Sequence, residues 1–159
     1  VWQVLPGHKE ESVFLTDLPS PETAWNDEKL AGKWDRLLSV RAVVTKALEI
    51  AREQGKIGNS LEARISVFSK EKSLQELLTQ KSSLLAELFI VSQAVAAGSP
   101  KEIQFTLLVE HQEGDLTVSA GAAEGQKCPR CWIYSSAVGS ASDLCTRCSQ
   151  VMAQIRGQE

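Results

Sequence analysis

Four cysteines constrain this chain more than any other feature, and they fall in two Cys-x-x-Cys pairs: Cys128-Pro-Arg-Cys131 and Cys145-Thr-Arg-Cys148. The 13 residues between the pairs let the chain turn back, so that two knuckles meet around one ion. The two-residue gap inside each pair turns both sulfurs toward the same metal, and tetrahedral Zn²⁺ takes four thiolates well. We read one structural zinc held by Cys128, Cys131, Cys145 and Cys148. Disulfides suit a secreted protein, but no secretion signal is visible and the chain is otherwise cysteine-free. A thioredoxin-like site uses one Cys-x-x-Cys at a helix start rather than two matched pairs. Rubredoxin-type iron usually has glycine after the second cysteine of each pair, where Trp132 and Ser149 stand here. Four thiolates leave no open position for a catalytic water.

The remaining sequence suits one good core plus a small appendage, given 159 residues. A net charge of −3 does not by itself point to nucleic acid. No apolar stretch reaches the roughly 18 residues of a membrane span. The chain opens on Val1-Trp2 without an initiator methionine, and we read it as a segment of a longer protein.

Residues 1–24 are punctuated by Pro6-Gly7, Pro19 and Pro21 and read as extended or irregular. From Asn26 to Gln54 the pattern predicts one long helix. Leu30, Trp34, Leu37, Val44, Leu48 and Ala51 recur at three- and four-residue steps, and Gly55 and Gly58 follow its end. Trp25 and Trp34 read as packing residues, and Trp2 as an exposed remnant of a larger helical bundle. Ala63, Ile65 and Val67 alternate with Arg64, Ser66 and Phe68 as a short strand. Ser73 with Glu76 reads as a capping box opening a second helix near Leu74. Leu88-Phe89-Ile90-Val91 reads as a buried strand. Ile103 to Val109 and Leu116 to Ala120 alternate as a hairpin turning at Glu113-Gly114-Asp115. The predicted class is α+β: residues 1–60 as a connector and long helix, 61–120 as a small α/β unit, and 121–159 as a zinc knuckle, with 121–126 linking the last two.

These parts together resemble a known family. Leu38-Ser39-Val40-Arg41, Val44-Thr45-Lys46-Ala47-Leu48-Glu49 and Ala51-Arg52 lead into Ile57-Gly58-Asn59-Ser60-Leu61-Glu62-Ala63. The arrangement is similar to the C-terminal region of bacterial-type isoleucyl-tRNA synthetases, and Cys128-Pro-Arg-Cys131-Trp132 with Cys145-x-x-Cys148 matches that family's terminal zinc module. Glu11-Ser12-Val13-Phe14-Leu15 with Pro19 resembles its connector, although Leu18 stands where a tryptophan is expected and the spacer between the cysteine pairs is short. The family's ATP-gripping His-Ile-Gly-His and Lys-Met-Ser-Lys-Ser motifs are absent, and Lys70-Glu71-Lys72-Ser73 is only a superficial echo. The resemblance implies a parent enzyme that joins isoleucine to its tRNA with ATP. It implies a segment that holds the tRNA without catalytic residues, acting as a monomer in the cytoplasm or in an organelle of bacterial descent, with no DNA or membrane partner.

RNA is held by cations on phosphates and by flat groups stacked on splayed bases. Arg41, Thr45 and Arg52 fall along one stripe of the long helix with Lys56 beyond, and Lys29, Lys33 and Arg36 along another. Charge pattern alone favours a solvated face with pairs such as Glu49 with Lys46 or Arg52, whereas the resemblance points Arg41 and Arg52 toward tRNA. Residues 126–159 carry a formal +2, so Lys127, Arg130 and Arg147 can offset the −2 of a zinc with four thiolates as readily as meet RNA. Trp132 and Tyr134 would face one side of an extended segment as a stacking platform, or Trp132 would cover the metal. Zinc supplies on the order of 10–16 kcal/mol to modules of this kind. His8 and His111 have no partner cluster and Asp115 suits the turn. Two rival functions remain: the four-cysteine finger of a DNA-repair glycosylase, whose N-terminal Pro-Glu pair is missing here, and a zinc ribbon that binds protein through Trp132, Ile133 and Tyr134.

Overall fold

The computed structural model describes residues 2–4, 6–7, 10–140 and 142–157; His8 lies outside them. The proline-free stretch forms the long helix α1, Glu28–Glu53. Asp27 caps its start, its carboxylate accepting from the Leu30 N–H at 2.9 Å. At its end Gly55 takes φ +67°, while Gly55 N–H donates to Arg52 O and Lys56 N–H to Ala51 O. That double bond is a Schellman stop, and glycine adopts its left-handed backbone without a Cβ penalty.

Only the part of α1 from Leu37 onward is buried, through Leu37, Val40, Val43, Val44, Ala47, Leu48 and Ala51. The expected stripe therefore begins about two turns too early. Trp34 is 38% exposed, Leu30 is half exposed, and Trp25 ahead of the helix is 83% exposed, so neither tryptophan is a core residue. The reason is tertiary: the start of α1 projects beyond the sheet that buries the rest of the stripe.

The sheet has four strands in the order β2-β1-β4-β3: β1 Ala63–Ser69, β2 Gln93–Ala96, β3 Leu107–Glu113 and β4 Leu116–Ala122. β1 and β2 are parallel, and the other pairs antiparallel. The β3–β4 hairpin turns at Gly114, as expected. β3 begins only at Leu107, so Ile103 and Phe105 precede it. Phe105 lies on Gly121, where an added Cβ would come within 2.2 Å of the ring, and Arg64 stacks over the same ring at 5.3 Å.

The crossover between β1 and β2 holds helices α2, Lys72–Gln80, and α3, Ser82–Phe89. Two expectations fail there. Ser73 does not cap α2, which starts at Lys72; its hydroxyl donates to Glu71 at 2.6 Å and accepts from Arg36 at 2.9 Å, tying α2 to α1. Leu88 and Phe89 are helical rather than strand, because Leu85 and Phe89, four residues apart, both pack into the core. Ile90 then takes the left-handed stop at φ 57° with the same double bond that Gly55 makes possible for α1. A β-branched residue at that position gives no sequence signal of a helix end. β4 runs on to Ala122 and pairs Gly121 with Arg64 and Leu107, so the linker is shorter than the pattern suggested.

Beyond the sheet lie the two-stranded ribbon β5, Gln126–Lys127, with β6, Tyr134–Ser135, and helix α4, Thr146–Arg156. Gly125 enters the ribbon at φ +90°, and a Cβ there would meet the Ser135 backbone at 2.2 Å. No helix among the described residues is long and apolar enough to cross a membrane.

Candidate metal centre and nucleic-acid surface

The first knuckle grows out of the ribbon. Cys128 N–H donates to Ile133 O at 2.9 Å and Trp132 N–H to Cys128 O at 2.8 Å, which folds the Pro-Arg segment back on itself. The second forms where α4 begins, with Cys145 at the N-cap and Cys148 in the first turn. That helix end carries partial positive charge and suits thiolates.

All four Sγ atoms lie within 4.8 Å of one another, and Cys131 and Cys145 are separated by 3.6 Å. A zinc tetrahedron with bonds of about 2.3 Å has edges of about 3.8 Å, so the donor set fits the ion. None of the four is in a disulfide. Cys128, Cys145 and Cys148 are buried with Val138, while Cys131 and Leu144 close the cluster at its edge. This tiny core suits a structural zinc.

Burial opposes the Cys128 thiolate, but backbone amides of Cys145, Cys131 and Arg130 donating to its sulfur outweigh burial and bring the thiol down to about 6. Burial and the neighbouring sulfurs push Cys131 up to about 12, against the opposing Ile133 amide. One thiol of the donor set is thus easily ionised, and another is held protonated near neutral pH until a metal displaces its proton.

Around the sulfurs, Arg130 directs its Nη1 at Cys148 Sγ from 3.8 Å. Trp132 is not part of the small core: it is 61% exposed, with φ +67°. The extended segment assumed for Trp132 and Tyr134 is therefore absent at Trp132, because the knuckle's reversal forces a left-handed residue there. Tyr134 is half-buried in β6, opposite Lys127, and the Lys127 ammonium stands over the Trp132 ring at 5.4 Å. Its spacing offers Lys127 as a counter-charge to the thiolates or a contact for RNA, and nothing in that spacing announces a cation–π partner.

The other candidates lie elsewhere. Arg147 is exposed on α4 and borders a groove of about 410 Å³ with Ile133, Leu61 and Ile90. Arg41 is exposed on α1 and has no ion pair among the described residues. Arg52 pairs with Glu49 at 2.5 Å, as the intrahelical alternative anticipated, whereas Lys46 reaches Glu113 at 2.6 Å instead. Arg36 is held by Glu71, and Lys56 donates to Leu108 O. No hydrogen bond among the described residues joins α1 to the zinc module. His111 lies 3.6 Å from Glu113, its Nε2 buried without a hydrogen-bond partner, and is no part of a metal cluster.

A family model described as "Zinc finger found in FPG and IleRS" matches residues 125–151. That description embraces two kinds of protein, so the finger alone does not separate them. The rest of the chain does. It is 41% identical over 158 residues to the isoleucine–tRNA ligase of Natranaerobius thermophilus, a match covering 96% of this chain. The corresponding ligases of Syntrophotalea carbinolica and Bacillus cytotoxicus are each 37% identical over 96% and 97% of it. This chain is homologous to one segment of the isoleucine–tRNA ligases. It spans about 17% of the length of these curated relatives. The similarity runs through α1 and the sheet as well as the finger, so a glycosylase finger carried on an unrelated body is set aside.

Proposed function

We propose that this chain is the C-terminal, tRNA-holding part of an isoleucine–tRNA ligase, with one structural zinc on Cys128, Cys131, Cys145 and Cys148. Its parts are a connector with the long helix, the α/β unit and the zinc module. The observation that carries the reading is the exposed Trp132 ring, held beside the metal cluster in a left-handed backbone with an ammonium over one part of it. A bare aromatic plane flanked by a cation is the chemistry that takes an unstacked base and its phosphate. In this reading Trp132 stacks, with Tyr134 bracing the ribbon beneath it. Lys127, Arg147, Arg41 and Arg52 meet phosphates, and Arg130 stays with the thiolates. The partner is isoleucine tRNA, bound by a monomer in the cytoplasm. Taken alone the chain joins no amino acid to tRNA, because it carries no ATP-gripping motif.

Fluorescence anisotropy with the zinc-loaded chain tests this against isoleucine tRNA, a non-cognate tRNA and duplex DNA at two salt concentrations. Preferential binding of isoleucine tRNA, weakened by salt and by Trp132→Ala, is the expected result. Equal binding to all three nucleic acids, or indifference to Trp132→Ala, sinks the reading.

A further inference from the structure

The zinc module is joined to the sheet by hydrogen bonds from two adjacent side chains that no motif marks. Ser92 Oγ accepts from Tyr134 N–H at 2.8 Å and donates to Leu61 O at 2.5 Å. Gln93 Oε1 accepts from Glu124 N–H at 2.9 Å, and its Nε2 donates to Glu124 O at 2.9 Å and reaches Tyr134 O at 3.4 Å. Glu124 lies just before β5 and Tyr134 opens β6, so the pair grips both strands of the ribbon that carries the first knuckle. Arg64 adds an ion pair with Glu124, whose side chain is largely exposed, and Ala123 N–H donates to Glu62 O at 2.8 Å.

The other end of this connection is equally fixed. Leu61 and Glu62 belong to the turn after α1, where the Glu62 carboxylate accepts from Gly58 N–H and from Asn59 Nδ2, each at 2.7 Å. Asn59 Oδ1 in turn accepts from Leu61 N–H at 2.9 Å. A set of hydrogen bonds therefore runs from Gly58 and Asn59, in the turn that follows α1, through Leu61 and Ser92 to the residue two places after Trp132. Beside it, Ile133 and Arg147 face Leu61 and Ile90 across an open groove rather than a packed contact. Apolar burial does not fix the module's angle at that point, and directional bonds to its backbone do.

We propose that Ser92 and Gln93 are positioning residues: they latch the zinc module to the sheet and hold Trp132 at a set orientation relative to the cations of α1. The latch stands on geometry alone, whereas its consequence for tRNA rests on the function proposed above. A ring and a set of cations fixed in advance bind one RNA without the entropy cost of ordering two loose bodies.

Cobalt in place of zinc reads the latch directly in the full 159-residue chain, through pseudocontact shifts of backbone amides. In the unaltered chain the shifts in β1 and β2 fit one tensor together with those of residues 125–151. In Ser92→Ala/Gln93→Ala the sheet shifts shrink toward zero while those near the metal persist. Unchanged sheet shifts in the double variant, or the lack of a common tensor in the unaltered chain, overturn the latch. Should the double variant lose its metal, Gln93→Ala alone keeps Ser92 on Leu61 and is judged in the same way. For tRNA, Trp132→Ala weakens binding about tenfold in the unaltered chain and less than about twofold in Gln93→Ala. A full tenfold loss in both backgrounds overturns the positioning role. Indifference to Trp132→Ala in the unaltered chain removes the tRNA reading instead and leaves the cobalt shifts to decide the latch.

Discussion

The α1–sheet body and the zinc module reach a fixed structure by different means. The first buries twenty residues in one continuous core, from Leu37 on α1 to Ala120 on β4. The second buries three cysteines and Val138, with Cys131 and Leu144 at the rim. Apolar burial contributes in proportion to area and tolerates many partners. Four sulfurs contribute through one ion and tolerate almost none. The large body should therefore be insensitive to metal and the small one dependent on it, although they meet through shared hydrogen bonds.

Removing a ligand breaks this contrast most severely. Cys128→Ser forfeits much of a metal contribution on the order of 10–16 kcal/mol, and residues 125–157 lose hydrogen-exchange protection while α1 keeps its far-ultraviolet helical signal. Collapse of the entire helical signal would show that the sheet leans on the module far more than its own core requires.

The reverse experiment strikes the larger body. Leu78, fully buried on α2, becomes alanine at a cost of about 2–5 kcal/mol by denaturant unfolding. The metal affinity of the folded protein stays the same. An equal fall in zinc affinity would mean that the two regions fold as one unit.

pH sharpens the comparison with the smallest effect. Zinc competes with protons, so affinity falls as pH falls, by about tenfold per unit for each proton released. Near pH 7.5 Cys131, at about 12, gives up a proton on loading, while Cys128, at about 6, is already ionised. Below pH 6 Cys128 is protonated too and adds its own proton, so the dependence steepens there. Calorimetry in buffers of different ionisation enthalpy counts these protons; a flat count across pH 6 would contradict a thiol near 6 in the cluster.

How much was legible in the sequence follows the same division. The four ligand candidates and the hairpin turn at Gly114 were readable, because paired cysteine spacing and turn chemistry act over a few residues. So was the span of α1, from its repeat of apolar residues and the glycine that follows it. Short apolar runs were not: Leu88-Phe89 has the same composition in a helix or a strand, and Ile90 hides a helix stop usually announced by glycine. Ser73 looked like a cap until Arg36, 37 residues earlier, engaged its hydroxyl.

By itself, then, the sequence determined the elements whose causes are local: the long helix, the hairpin, the metal-binding spacing and the order that marks the family. The tertiary structure decided which part of the α1 stripe is covered, that Trp25 and Trp132 stand in solvent, and that Ser92 and Gln93 hold the ribbon. Those outcomes depend on which distant backbone groups and surfaces come within a few ångströms, and single-residue spacing carries no record of such encounters.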